Sequence, residues 1–166
     1  MTNNQKYTQL LAIAASAALV SGITFIGSAV GADNPLVKAA LTACPSDKTV
    51  IGGVNACGKV WKITSGEATL GADGKLAVEI HGLVLNDASV GNANGSPDGV
   101  DAVALAVICG GKNGMVAAQT DPTTLSQKGD ARVEATLSVP KPCADPIVLV
   151  RERYEGKIGG WLATTK

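Results

Sequence analysis

Aromatic side chains are scarce in this 166-residue chain: one Phe, two Tyr and two Trp make up 3% of it. Tyr7 and Phe25 sit in an apolar N-terminal stretch, so the remainder keeps only Trp61, Tyr154 and Trp161. Three rings are too few to build the stacking platforms on which proteins lay out single-stranded bases. An excess of either charge is also lacking. Lys and Arg number 14 against 14 Asp and Glu, which leaves no footprint for a phosphate backbone or an anionic lipid surface. Nucleic acid is therefore not an expected partner. His81 is the sole histidine, so any Ser-His-Asp or Cys-His constellation must use it, and no G-x-S-x-G turn accompanies it. There is no C-x-x-C pair, which with one imidazole argues against zinc. No cofactor is expected.

What is present begins with a leader. After a polar start carrying Lys6, Leu10 to Val30 reads LLAIAASAALVSGITFIGSAV. The small residues Val30 and Ala32 suit the positions a leader peptidase reads, placing a cut before Asp33. Residues 1–32 are expected to be a secretory signal, and subtracting 32 from 166 leaves a single domain of 134 residues, 33–166. A retained anchor is the alternative, because the run approaches the roughly 20 residues that span a bilayer. Contact with a membrane is expected only through such an uncleaved leader. No cysteine follows the run, so there is no lipoprotein box.

Export changes how the four cysteines read. Cys44, Cys57, Cys109 and Cys143 all follow the leader, an even number in an oxidising compartment, and two disulfides are expected. Three pairings are formally open; proximity favours Cys44 with Cys57 and Cys109 with Cys143.

The apolar period in the mature chain is two, the signature of strands. Lys75 to Ile80 sets Leu76, Val78 and Ile80 against Lys75, Ala77 and Glu79, and Arg132 to Val139 sets Val133, Ala135, Leu137 and Val139 against polar neighbours. Asp101 to Cys109 is apolar on both sides and predicts a central strand. Shorter candidates are Lys59–Thr64, Glu67–Leu70, Met115–Gln119, Ile147–Arg151 and Trp161–Thr164. Turn signals separate them at Ala72-Asp73-Gly74, Gly110 to Gly114, Gln127 to Asp130 and Pro140 to Pro142. About eight short strands at this spacing predict an all-β, antiparallel two-sheet β-sandwich, immunoglobulin-like, with a small β-barrel as runner-up. Asp33 to Ala43 is expected to form a short helix, and the slip in apolar parity after Gly82 predicts a bulge at His81-Gly82. Leu, Ile and Val supply 32 of the 134 residues, above the roughly 20% below which chains tend to disorder.

Chemistry is thinner. His81 stands at the expected bulge beside Glu79, which suits a turn-packing histidine better than a catalytic one. Glu67, Glu79, Glu134, Glu152 and Glu155 could in principle supply the carboxylate pair of a glycosidase, but wet strand faces are the commoner explanation for such residues. Between Asn86 and Asp101, Asn92, Asn94, Ser96 and Asp98 carry oxygens at every second position, a calcium-loop spacing. That loop is poor in charge and has no closing bidentate Glu, so a flexible turn is the competing reading. Arg151, Arg153, Tyr154 and Trp161 are the densest grouping of residue types that anchor interfaces and form a candidate binding patch. Alternating charge at a strand end also explains them, as protection of a sheet edge.

The segments VICGG, GDARVEATLSVP, PCADPIVLVR and GGWLATT, spread over roughly Trp61 to Thr165, resemble a group of small exported bacterial proteins of uncharacterised function. The resemblance implies a β-sandwich and a Cys109 to Cys143 bridge, and no catalytic motif. TSGEATLGADGKLAVEIHGLVL is similar to the opening of CHRD domains, where a strand pair ends in a Gly-Leu step; the later His-x-His of those domains has no counterpart here. Three function classes follow. The first is a secreted, non-catalytic cell-envelope component or extracellular binding module, whose partner is an extracellular or cell-surface component. The second is a subunit of a surface filament or layer that self-assembles by strand addition. The third is a secreted hydrolase with an unrecognised site.

Overall fold

From Lys75 to His81 every second side chain is buried: Leu76, Val78 and Ile80 face inward, and Lys75, Ala77, Glu79 and His81 face solvent. This is the geometry the period of two demands, since successive Cβ atoms of a strand point to opposite faces. The computed structural model describes residues 34–45 and 48–165; the expected leader, or retained anchor, lies outside the described residues. Among the described residues no helix is long and apolar enough to cross a membrane.

The first strands are β1 (Val37–Ala40), β2 (Thr42–Ala43), β3 (Val50–Ile51), β4 (Val54–Asn55), β5 (Trp61–Lys62), β6 (Ser65–Leu70) and β7 (Lys75–His81). There follow β8 (Val84–Leu85), β9 (Val100–Cys109), β10 (Met115–Gln119), β11 (Thr123–Thr124), β12 (Ala131–Thr136), β13 (Ile147–Tyr154) and β14 (Lys157–Thr164). A four-stranded sheet runs β1-β6-β7-β12, and a six-stranded sheet runs β10-β9-β13-β14-β2, with β11 pairing farther along β9. Two small ribbons, β3-β4 and β5-β8, complete the set. Every ladder is antiparallel.

The inward residues of both large sheets belong to one hydrophobic cluster: Leu76, Val78, Ile80 and Val133 from the first, Val103, Leu105, Val107, Val148 and Val150 from the second. Each fully buried Leu or Val of this kind contributes roughly 1.5–3 kcal/mol of transfer free energy. Both sheets keep open ends, so neither closes into the barrel held as runner-up. The central strand expected at Asp101 to Cys109 is β9, flanked by β10 and β13. Its second face is covered at one end by the β3-β4 ribbon, where Gly52 leaves no room for a Cβ against Ile108.

The described chain has more strands than the eight expected, because pairs of two residues leave no visible period. The helix expected over Asp33 to Ala43 is not found among its described residues: from Val37 they form β1 and β2. An Ala-rich segment this short has little helical stability alone, whereas the edge of β6 offers it a full ladder from Val37↔Leu70 to Ala40↔Glu67. Leu41 then crosses between the sheets, its N–H reaching Gly66 O and the N–H of Cys44 reaching Leu162 O. There is no bulge at His81-Gly82 either. β7 ends at His81, Gly82 turns with φ +64°, and the chain leaves the four-stranded sheet to pair Trp61 with Leu85.

Both expected disulfides are present, Cys44–Cys57 and Cys109–Cys143, and no cysteine is free. They close sequence separations of 13 and 34 residues, and loop-closure entropy assigns them about 3 and about 4 kcal/mol respectively.

Candidate functional site

The outer face of the four-stranded sheet is a set of rows running across all four strands. One row is Lys38, Thr69, Ala77 and Glu134; the next is Ala40, Glu67, Glu79 and Arg132. In the first row the two central side chains are small and the two outer ones long. With Gly71 and Ala72 at the β6-β7 turn, the result is a shallow groove of about 830 Å³, floored by Thr69, Gly71, Ala72 and Ala77 and rimmed by Lys38, Asp73, Lys75, Glu134 and Thr136. A smaller depression continues it along Glu67, Glu79, Arg132 and Glu134.

The charges around the groove are mostly matched in pairs. Asp73 and Lys75 approach to 2.8 Å, and the Lys75 side chain holds the Asp73 carboxyl below the usual aspartate range while its own ammonium is pushed up by the same bond. Arg132 donates to Glu134 through Nε at 3.0 Å and Nη2 at 2.6 Å, which raises its pKa. Glu79 lies 3.3 Å from His81 Nε2. These pairs are exposed on the sheet surface. His81 lies between Glu79 and Asp130, with Nδ1 3.9 Å from Asp130 Oδ1. Glu152 and Glu155 lie on the other sheet's β13-β14 hairpin, away from this groove.

The arginine patch survives only in part. Trp161 is not on the surface: it is buried, pairs with Arg151 across β13 and β14, and donates Nε1–H to Thr49 O at 3.4 Å. Its chain neighbourhood is roofed by β4, through the bridge from Ala56. Arg151, Arg153 and Tyr154 are accessible, Tyr154 being 47% exposed. Three residues outside the sequence reading join them: Gln119, Asp101 and Gly159 contact the guanidiniums.

The loop from Asn86 to Asp101 uses its oxygens internally. Asn94 Oδ1 accepts the N–H of Asp87 at 3.1 Å, Ser96 Oγ donates to Ala93 O at 2.8 Å, and Asp98 N–H reaches Ser96 Oγ. Asp87 caps the 3-10 turn Ala88–Ala93 by accepting from Ser89 N–H, and the Ser89 hydroxyl, with that N–H second, holds its carboxyl below the usual aspartate range. Asn94 and Ser96 are thus spent on folding a turn, and only Asn92 and Asp98 of the four expected ligands have side chains outside these bonds.

The groove was not found in the sequence, where Ala77 read simply as a wet-face residue and Thr69 as part of the short candidate Glu67–Leu70. The usable signal is two small residues at outward positions of neighbouring strands, joined by Gly71-Ala72. No protein-family model, curated protein or solved structure matches this chain.

Proposed function

We propose that this is an exported, non-catalytic β-domain that serves the cell envelope or extracellular space as a binding module, with the groove on the four-stranded sheet as its contact surface. The observation that carries this reading is the row Lys38, Thr69, Ala77, Glu134: a low, neutral floor between rims of opposite charge. Such a trough fits an extended polar partner, a polysaccharide or peptide strand, lying across the strands with hydrogen-bonding groups on both sides. The two disulfides support an oxidising compartment. The test is retention of the protein on cell-wall and surface fractions, together with generic ester, glycoside and peptide substrates. Retention that is lost in Ala77→Trp, a substitution on an exposed position, supports the reading. Turnover that disappears in Glu67→Gln or Glu134→Gln defeats it.

A second reading, assembly by strand addition, is favoured by β10. This edge strand carries no charge from Met115 to Gln119, and Met115 is 72% exposed; edges of that kind recruit other strands. Concentration-dependent oligomers abolished by Val116→Lys would select it.

A further inference from the structure

On the face of the six-stranded sheet turned away from the four-stranded one, β13 presents Arg151 opposite Ala104 and Arg153 opposite Ala102, with no shift of register against β9 between them. The two side chains therefore leave the same face about 7 Å apart along the strand, between small partners on the β9 side and Trp161 and Ile158 on the β14 side. Arg151 is held in place by neutral groups alone. Its Nε and Nη2 donate to Gly159 O at 3.1 and 2.8 Å, and Nη1 donates to Gln119 Oε1 at 2.6 Å. Arg153 has one acidic partner, Asp101 Oδ2 at 3.1 Å from Nη2, while its Nε is buried with no acceptor. Glu152 lies between them in sequence but alternates to the other face, where Oε1 accepts the N–H of Gly160 at 3.1 Å.

We propose that Arg151 and Arg153 form a two-guanidinium clamp for an oxyanion, a carboxylate, sulfate or phosphate, either free or carried on an acidic polymer. Three features of the site lead there. The first is an excess of cation: two guanidiniums face one carboxylate. The second is preorganisation, because Gly159 and Gln119 fix the Arg151 plane without neutralising it. Burial that lowers the Arg151 pKa without any carboxylate beside it fits the same picture. The third is the orphaned Nε of Arg153, a buried donor that costs free energy while it stays unpaired and that gains an acceptor when the side chain turns outward to an oxyanion. Planar fork geometry suits bidentate capture of such anions. This site is separate from the groove, and either can fail without the other.

The experiment titrates the protein with sodium sulfate, sodium phosphate, and sodium polygalacturonate, each against sodium chloride at equal ionic strength, and follows the proton–nitrogen correlation signals of the arginine Nε groups. The expected result is a saturable shift of the Arg153 and Arg151 signals with at least one oxyanion and none with chloride. A response confined to polygalacturonate identifies a polymer as the source, and a response to the small salts identifies a free anion. Arg153→Gln should weaken binding about tenfold. Asp101→Asn, which removes the competing carboxylate and leaves both cations, should tighten it several-fold. Equal response to chloride, no response to any oxyanion, or weaker binding in Asp101→Asn would overturn the clamp.

Discussion

Glu67 and Glu79 stand directly opposite each other on the outer face of the four-stranded sheet, in adjacent antiparallel strands. Glu79 has the cationic Arg132 as its partner in β12, with the His81 imidazole at 3.3 Å. Directly opposed like charges destabilise a sheet by roughly 0.2–1 kcal/mol, and a position kept at the expense of stability is a candidate for function. Glu67→Gln is expected to raise stability by about that amount, read as a shift of the urea midpoint with unchanged slope. The gain should shrink in high salt, where exposed repulsion is screened. A loss of stability would mean that Glu67 is held by an attraction rather than tolerated.

The alternation of Arg132 to Val139 correctly divides inner from outer residues, but burial along it is uneven. Val133 is 4% exposed and opposes Val78 in the core, whereas β12 ends at Thr136 and Leu137 is half-buried beyond it. Val133→Asp should therefore unfold the domain, because a carboxylate would enter the shared core without a partner. Leu137→Asp should cost distinctly less, and Thr136→Asp, on the wet face, less than about 0.5 kcal/mol. Circular dichroism melts order the three; equal tolerance at Val133 and Thr136 would refute the register.

These particular residues also mark how far the sequence could be read. Strands of five residues or more, such as β7 and β9, announce themselves through period or continuous burial. Two-residue strands such as β2 and β11 cannot, since their pairing depends on neighbours brought in from elsewhere in the chain: Thr42 meets Thr164 and Thr123 meets Val103. The same limit governs the sites. Arg151 and Arg153 were legible as a local cluster, but Gln119 and Asp101 reach them only through sheet pairing. Trp161 was misplaced on the surface because the ribbon that covers it lies about a hundred residues earlier, where Thr49 accepts its N–H.

Where the chain leaves the four-stranded sheet it is pinned to the Ser126–Asp130 turn. Asp130 Oδ1 accepts the N–H of Gly82 at 3.0 Å, and Gly129 O accepts the N–H of Leu83 at 2.9 Å. Gly129 has φ +79°, and a Cβ placed on it would collide with the backbone of Leu83. Backbone atoms cannot swing aside as a side chain can, so the junction itself would have to shift and both hydrogen bonds would be disturbed. Gly129→Ala is expected to cost about 3 kcal/mol or more, combining left-handed strain with a steric clash. Gly156 separates the two contributions, because its φ is +77°, close to that of Gly129, but nothing lies within 4 Å of a Cβ built there. Gly156→Ala should show the conformational part alone, about 1–2 kcal/mol. Urea denaturation of both variants measures the difference; similar losses at the two sites would show that the Gly129–Leu83 contact does not hold the junction in place.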